Sequence, residues 1–337
     1  MPILTGNLEP FLIIAGVAIA YLAILRLVDL NEREPLWSLL LMVGCGAAAA
    51  SFLSLLVRSP VLFLHPLRGA VLEEGAKLVA FGAGLAVLSA VGRWKGWSEV
   101  SDAMDGLVYG AATGLGFALG GMLLHLLDPP PGALAAVLPG SLAYLWTAAL
   151  SGLAHGVFGA LIGIGCVGLA VHRGPLRWVA GAAIGWALAV AAHVGYEVLA
   201  HGAALSGSTA VVRLWTALAI PVALVVLLAL RSLIGERRAI REELATEAAA
   251  GPGEPGGYVS RRRAALGALL RGDFHGHAML KDLHNRRVQL ALARRRERHA
   301  RDPRTQARAG AEVERLRSAV HRLREERFRW ETDRGVT

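Results

Sequence analysis

Glu73 and Glu74 stand side by side near the head of an apolar run, and Lys77 follows one helical turn later. An ionisable side chain at the centre of a membrane helix costs about 2.5–3.5 kcal/mol on insertion scales, so such groups in hydrocarbon have a task or a partner. On a helix, Lys77 is four residues from Glu73 and three from Glu74, and its ammonium can reach either carboxylate. The pairing divides the roles: one carboxylate can stay ionised beside the lysine while the other serves in proton transfer. His155 and His193 also lie inside long apolar runs. His193 shares a helix face with Glu197, four residues on, a pattern that suits an oriented imidazole or two metal ligands. Three functions fit a buried cluster of this kind: a polar lock between helices, an ion or proton carrier, and a membrane-embedded hydrolase.

The elements that carry these residues follow from composition. The chain has 337 residues, of which 54% are hydrophobic. It contains about seven apolar runs near the length of about 20 residues that crosses a bilayer. They are residues 11–28, 36–57, 70–91, 106–127, 144–171, 176–200 and 210–230. The runs are continuous rather than alternating, which predicts helices and excludes a barrel. The fold class is therefore all-α: a polytopic membrane helix bundle of about seven transmembrane helices with a C-terminal helical tail. Residues 1–10 contain no Lys or Arg, so the first run is expected to be a retained helix rather than a signal peptide. Residues 133–143, after a proline-rich break, suit an interfacial helix. In the fourth run Gly106, Gly110, Gly114, Gly116 and Gly120 recur at helical spacing, which predicts close helix packing. Cys45 and Cys166 lie in apolar runs without metal-ligand spacing and suit small buried side chains.

Charge separates two regions, a membrane body over residues 1–231 and a basic helical tail over 232–337. The tail holds 24 of the 35 basic and 15 of the 26 acidic residues, and the body is neutral. The first, third and fifth loops carry Lys or Arg, the fourth and sixth carry none, and Arg58 and Arg68 in the second break the alternation. The positive-inside rule then puts the N-terminus outside and the tail in the cytoplasm. With that topology Glu73, Glu74, His155 and His193 all fall in the outer halves of their helices, which predicts one outer-leaflet site. In the tail, residues 261–301 and 311–330 suit two Arg-rich helices broken at Asp302–Pro303, the second with an apolar stripe. Its bases suit solvent or anionic lipid; no motif for DNA or RNA is present.

Five ordered stretches resemble the PrsW family of intramembrane proteases, within the wider CAAX-protease and bacteriocin-processing superfamily. Glu73-Glu74-Gly75-Ala76-Lys77 is similar to its EExxK motif. The segment Asp105-Gly106-Leu107-Val108-Tyr109-Gly110, continued to Ala118, is similar to its DGxxYGxxxGxGFA motif. His155 with Gly159 and Gly163, His193 to Glu197, and the polar stretch Asp29 to Pro35 resemble the remaining three. The likeness runs over roughly residues 20–230. It implies an integral membrane peptidase that hydrolyses membrane or membrane-proximal proteins with a water activated by Glu73 or Glu74. It implies that Lys77 pairs with one glutamate, that His155 and His193 bind a divalent metal such as zinc or hold an oxyanion, and that Glu197 assists. Glu73, His155 and His193 form the expected ligand set, with His125 as a further candidate. Two positions depart from the family. Gly121 stands where the second motif usually has glutamate, and Glu197 stands where the fourth has Asn or Asp. The first departure leaves a second function open: a catalytically degenerate membrane scaffold that binds partners.

Overall fold

The computed structural model describes residues 8–28, 34–56, 65–95, 103–127, 140–168, 175–204, 210–249, 267–268, 270, 272–299 and 303–333. Nine helices are described: α1 (Leu8–Val28), α2 (Leu36–Leu56), α3 (Pro66–Lys95), α4 (Ala103–Leu127), α5 (Gly140–Gly168), α6 (Pro175–Ala204), α7 (Ala210–Ala249), α8 (Phe274–His299) and α9 (Pro303–Asp333). Seven of them, α1 to α7, are long and apolar enough to cross a membrane. Helices suit this setting because each satisfies its own backbone where no water is available. The chain divides into two compact units, Met1–Leu230 and Arg231–Thr337.

Helix starts are written in the sequence. α3, α6 and α9 each begin on a proline, whose missing N–H costs nothing at the first helical position. The carbonyl of His65 accepts the first hydrogen bonds of α3, from the amides of Arg68 and Gly69. This moves the start of α3 four residues ahead of the apolar run that announced it. α5 begins at Gly140; residues 133–139 of the expected interfacial helix lie outside the described residues.

In the membrane unit α4 is the central element. Of its membrane-crossing stretch 72% is buried, and of that of α5 61%, against a third or less for the others. The glycines explain why. A side chain at Gly106 would lie 2.5 Å from the carbonyl oxygen of Gly163 on α5. One at Gly110 would strike the carbonyl of Gly159, and one at Gly114 that of His155. On another face, Gly116 and Gly120 meet the backbone of α2 at Val43 and Ala47. The glycine spacing read from the sequence thus lets α4 pack backbone to backbone on two neighbours, as small residues do between membrane helices. α5 is fastened further by Tyr21 of α1, whose hydroxyl donates to the Ala149 carbonyl at 2.6 Å. Near the start of α4, the buried Tyr109 hydroxyl donates to the Glu34 carboxylate just before α2. Residues 29–33 of that polar stretch lie outside the described residues.

In the second unit, Asp273 caps α8 by accepting from the Gly276 amide at 2.9 Å. The apolar stripe of α9, Val313, Leu316 and Val320 with Leu323, packs on Leu283, Leu290 and Ala293 of α8. Ile240, near the end of α7, packs with Val288, Ala291 and Leu292. α7 continues past Leu230 to Ala249 as one helix; no proline or glycine pair interrupts its charged continuation.

Candidate active site

The ionisable residues of the membrane unit meet where three helices converge. α3 brings Glu73, Glu74 and Lys77, α5 brings His155, and α6 brings His193 and Glu197. Their level follows from the helix ends. The membrane-crossing stretches of α3 and α5 start at Pro66 and Ala148, and those of α4 and α6 end at Leu124 and Leu199. Glu73, His155, His193 and the lining residue Phe117 each lie about two turns from that end, roughly 10 Å along the axis at 1.5 Å per residue.

Glu74 is the hub. It is fully buried, and its Oε1 accepts from Lys77 Nζ at 2.6 Å and from His193 Nδ1 at 2.7 Å. Its Oε2 is buried without a hydrogen-bonding partner among the described residues. Lys77, also buried, lies 2.7 Å from His155 Nδ1. The ammonium sits 4.8 Å from the centre of the Phe117 ring and 5.6 Å from that of Phe158, a favourable position for a desolvated cation. A buried charge is tolerable when it is paired and hydrogen-bonded, and Lys77 and Glu74 meet that condition for each other.

Glu73 and Glu197 are less buried. Their side chains are 20% and 27% exposed, against none for Glu74. His193 Nε2 lies 3.4 Å from Glu197 Oε1 and 4.0 Å from Glu73 Oε2. His193 thus turns one nitrogen to the buried carboxylate and the other to the accessible pair. The two imidazoles stand at 85° with centres 5.5 Å apart, and Phe158 stacks on His193 at 5.0 Å. Phe158 had no part in the sequence-based candidate set. Its position three residues after His155, on the same helix face, was the available signal.

Glu73, His155 and His193 each offer a ligand atom, and these atoms lie within 4.8 Å of one another. The donor types fit a catalytic metal. Two imidazoles and a carboxylate make a ligand set used by catalytic zinc, with room for a water or substrate. The Glu74–His193 hydrogen bond is the outer carboxylate contact that orients metal-binding histidines. His125 lies near the end of α4, but its side chain is outside the described residues. Gly121 is one turn beyond Phe117 on α4, and a side chain there would meet nothing within 4 Å.

No curated protein and no solved structure matches the chain. A family model does match, over residues 34–230, more than half of the chain, and its description is PrsW family intramembrane metalloprotease. The matched stretch contains every residue of the cluster. The membrane-spanning chain with this buried Glu/His/Lys cluster belongs to the PrsW family of intramembrane metalloproteases.

Proposed function

We propose that the protein is an intramembrane endopeptidase that cuts membrane or membrane-proximal proteins with a water activated by Glu73. The observation that carries this is the division of labour between adjacent glutamates. Glu74 is sealed in the bundle and spends one oxygen on both Lys77 and His193. Glu73 is less buried, 20% exposed, and lies beside both histidines. A general base must reach the water whose proton it takes, and of the two glutamates Glu73 suits that requirement better. Glu74 is a positioning residue: it orients His193 and neutralises Lys77. His155, with Lys77 against Nδ1, presents Nε2–H as a donor for the oxyanion that forms on the scissile carbonyl. Glu197 holds the outer nitrogen of His193 and is the second carboxylate able to move a proton at the site.

A divalent metal such as zinc would be held by Glu73, His155 and His193. When bound, such an ion makes a coordinated water acidic and polarises a carbonyl. Glu73 has two oxygens, so holding an ion with one leaves the other to accept a proton.

The topology that goes with this reading has the N-terminus outside, the site two turns below the outer surface, and residues 232–337 in the cytoplasm. It rests on the loop Lys and Arg residues. Residues 1–231 would form the protease body. The tail, with its excess of nine positive charges, would contact water or the anionic inner leaflet.

The open space at Gly121 favours a second reading, a family member that binds membrane partners without cutting them. Comparative proteomics of the membrane fraction, wild type against Glu73→Gln, separates the two. A peptide fragment present only with the wild type identifies an active protease and its substrate. Identical fragment patterns, with the protein folded and inserted, overturn the protease reading in favour of the binding protein.

A further inference from the structure

The two histidines of the cluster face chemically different partners. Nδ1 of His193 faces Glu74 Oε1 at 2.7 Å. A carboxylate oxygen only accepts, so Nδ1 carries a hydrogen, and Nε2 faces a second acceptor, Glu197 Oε1, at 3.4 Å. Nδ1 of His155 faces Lys77 Nζ at 2.7 Å. An ammonium has three donors and no lone pair, so Lys77 donates and the Nδ1 lone pair is used. A neutral imidazole has one donor and one acceptor nitrogen, which leaves the hydrogen of His155 on Nε2. His155 therefore has no lone pair to offer while Lys77 stays in place.

We propose that Lys77 is a resident cation that competes with a divalent metal for His155. In the metal-free protein Lys77 bridges Glu74 and His155, with Phe117 and Phe158 walling its ammonium. In the metal-loaded protein Lys77 would leave His155 and keep Glu74, freeing the Nδ1 lone pair for the metal. His155 would keep its Nε2 hydrogen throughout, so the exchange releases no proton from this residue. Lysine suits this task because its ammonium ends a flexible stem and its donors rotate freely. The competition also opposes stray metal binding, because a cation must displace a charge-assisted hydrogen bond before its third protein ligand is available. The proposal rests on Glu73, His155 and His193 being the metal ligands, as in the function proposed above.

The test is Zn(II) binding to the purified full-length protein in detergent, followed by calorimetry. It compares wild type, Lys77→Met, His155→Ala and the double variant. Losing one hydrogen bond to a charged group corresponds to about ten- to a hundredfold in affinity. Lys77→Met should tighten Zn(II) binding by that factor, and the gain should vanish in the His155→Ala background. An equal gain in both backgrounds means that Lys77 acts only through its charge and overturns the proposal. So does the absence of any gain, or of any Zn(II) binding. In the last case, cleavage by chelator-treated wild type shows that the protease reading survives without the metal. The wild type supplies a second measurement should Lys77→Met fail to fold. In metal-free protein with ¹⁵N-labelled histidine, the His155 signal, assigned by its loss in His155→Gln, should report Nε2–H and that of His193 Nδ1–H. An Nδ1–H tautomer at His155 overturns the proposal.

Discussion

Glu73→Gln and Glu74→Gln make the same chemical change at adjacent positions, and the structure assigns them different outcomes. At Glu74 the amide keeps an acceptor but loses the charge that Lys77 and His193 face at 2.6 and 2.7 Å. Removing one partner of a buried ion pair costs about 3–5 kcal/mol in soluble proteins. Polar contacts between membrane helices are worth less, about 0.6 to 1.7 kcal/mol each, because the unfolded helices find other partners in the bilayer. Two contacts on one buried oxygen then give a loss of about 1–3 kcal/mol. At about 2–4 °C per kcal/mol for a unit of this size, the melting temperature should fall by about 2–12 °C. Glu73 is partly exposed and its carboxylate is 4.0 Å from His193, so its amide should change stability by less than about 1 kcal/mol. In the proposed role of general base its chemical cost should be large, since such a group contributes about 10²- to 10⁴-fold. The assay pairs thermal unfolding in detergent with cleavage of a substrate identified in the membrane fraction. Glu73→Gln should lose at least about a hundredfold in kcat/KM while keeping its Tm. Glu74→Gln should lose both. Equal Tm losses, or a Glu74→Gln variant as stable as wild type, would refute the division between a buried hub and an accessible base.

Other outcomes follow from the same geometry. Gly114→Ala puts a methyl group against the His155 carbonyl, a backbone contact that no rotamer relieves. It should cost about 1–3 kcal/mol and reduce cleavage, while Gly121→Ala, with nothing within 4 Å, should do neither; equal effects would sink the packing argument. The same space accommodates Gly121→Glu, and Glu197→Gln tests whether Glu197 already supplies the missing carboxylate. If it does, Glu197→Gln costs more than about tenfold in rate, 1.4 kcal/mol of barrier, and Gly121→Glu adds little. A rise in cleavage with Gly121→Glu, together with a silent Glu197→Gln, would mark a degenerate enzyme. A reporter inserted after Ala203 should read outside the cytoplasm; a cytoplasmic signal removes the outer-leaflet assignment.

The membrane helices were legible because hydrocarbon enforces one rule, a continuous apolar run closed by its own hydrogen bonds. Their ends were less so. α3 starts at Pro66 rather than Ala70, because apolar length marks the membrane rather than the helix. The grouping of Glu73, Glu74, Lys77, His155 and His193 was legible as a shared depth in three apolar runs. The distinct positions of the two glutamates were not. Neighbours on a helix point about 100° apart, and only the packing of α3 on α4, α5 and α6 decides which is sealed. The aromatic wall of Phe117 and Phe158 and the Tyr109–Glu34 bond also depend on tertiary contacts that spacing does not encode. The glycines of α4 were read correctly as packing residues, but their partners were invisible until α5 was laid against them.

Those glycines and the chemistry meet at one residue. The carbonyl of His155 occupies the space that a side chain at Gly114 would fill, while its ring lies against Lys77 and at 85° to the ring of His193. The backbone of α5 is thus set at this turn by α4, and the ring by α3 and α6. A metal or oxyanion site tolerates placement errors of only about 0.5 Å in its supporting groups. Two helices in backbone contact give that precision without a polar side chain to desolvate. It also explains how the bundle carries three carboxylates and a lysine within about three turns of one end. The deepest pair, Glu74 and Lys77, neutralises itself, and the other two carboxylates are less buried. A carboxylate added at Gly121 would lie one turn beyond Phe117 along α4, away from the Glu74–Lys77 pair and toward the helix end from which all these depths are counted. Its burial would cost less there than at the hub, so the missing glutamate is a question of chemistry rather than of folding.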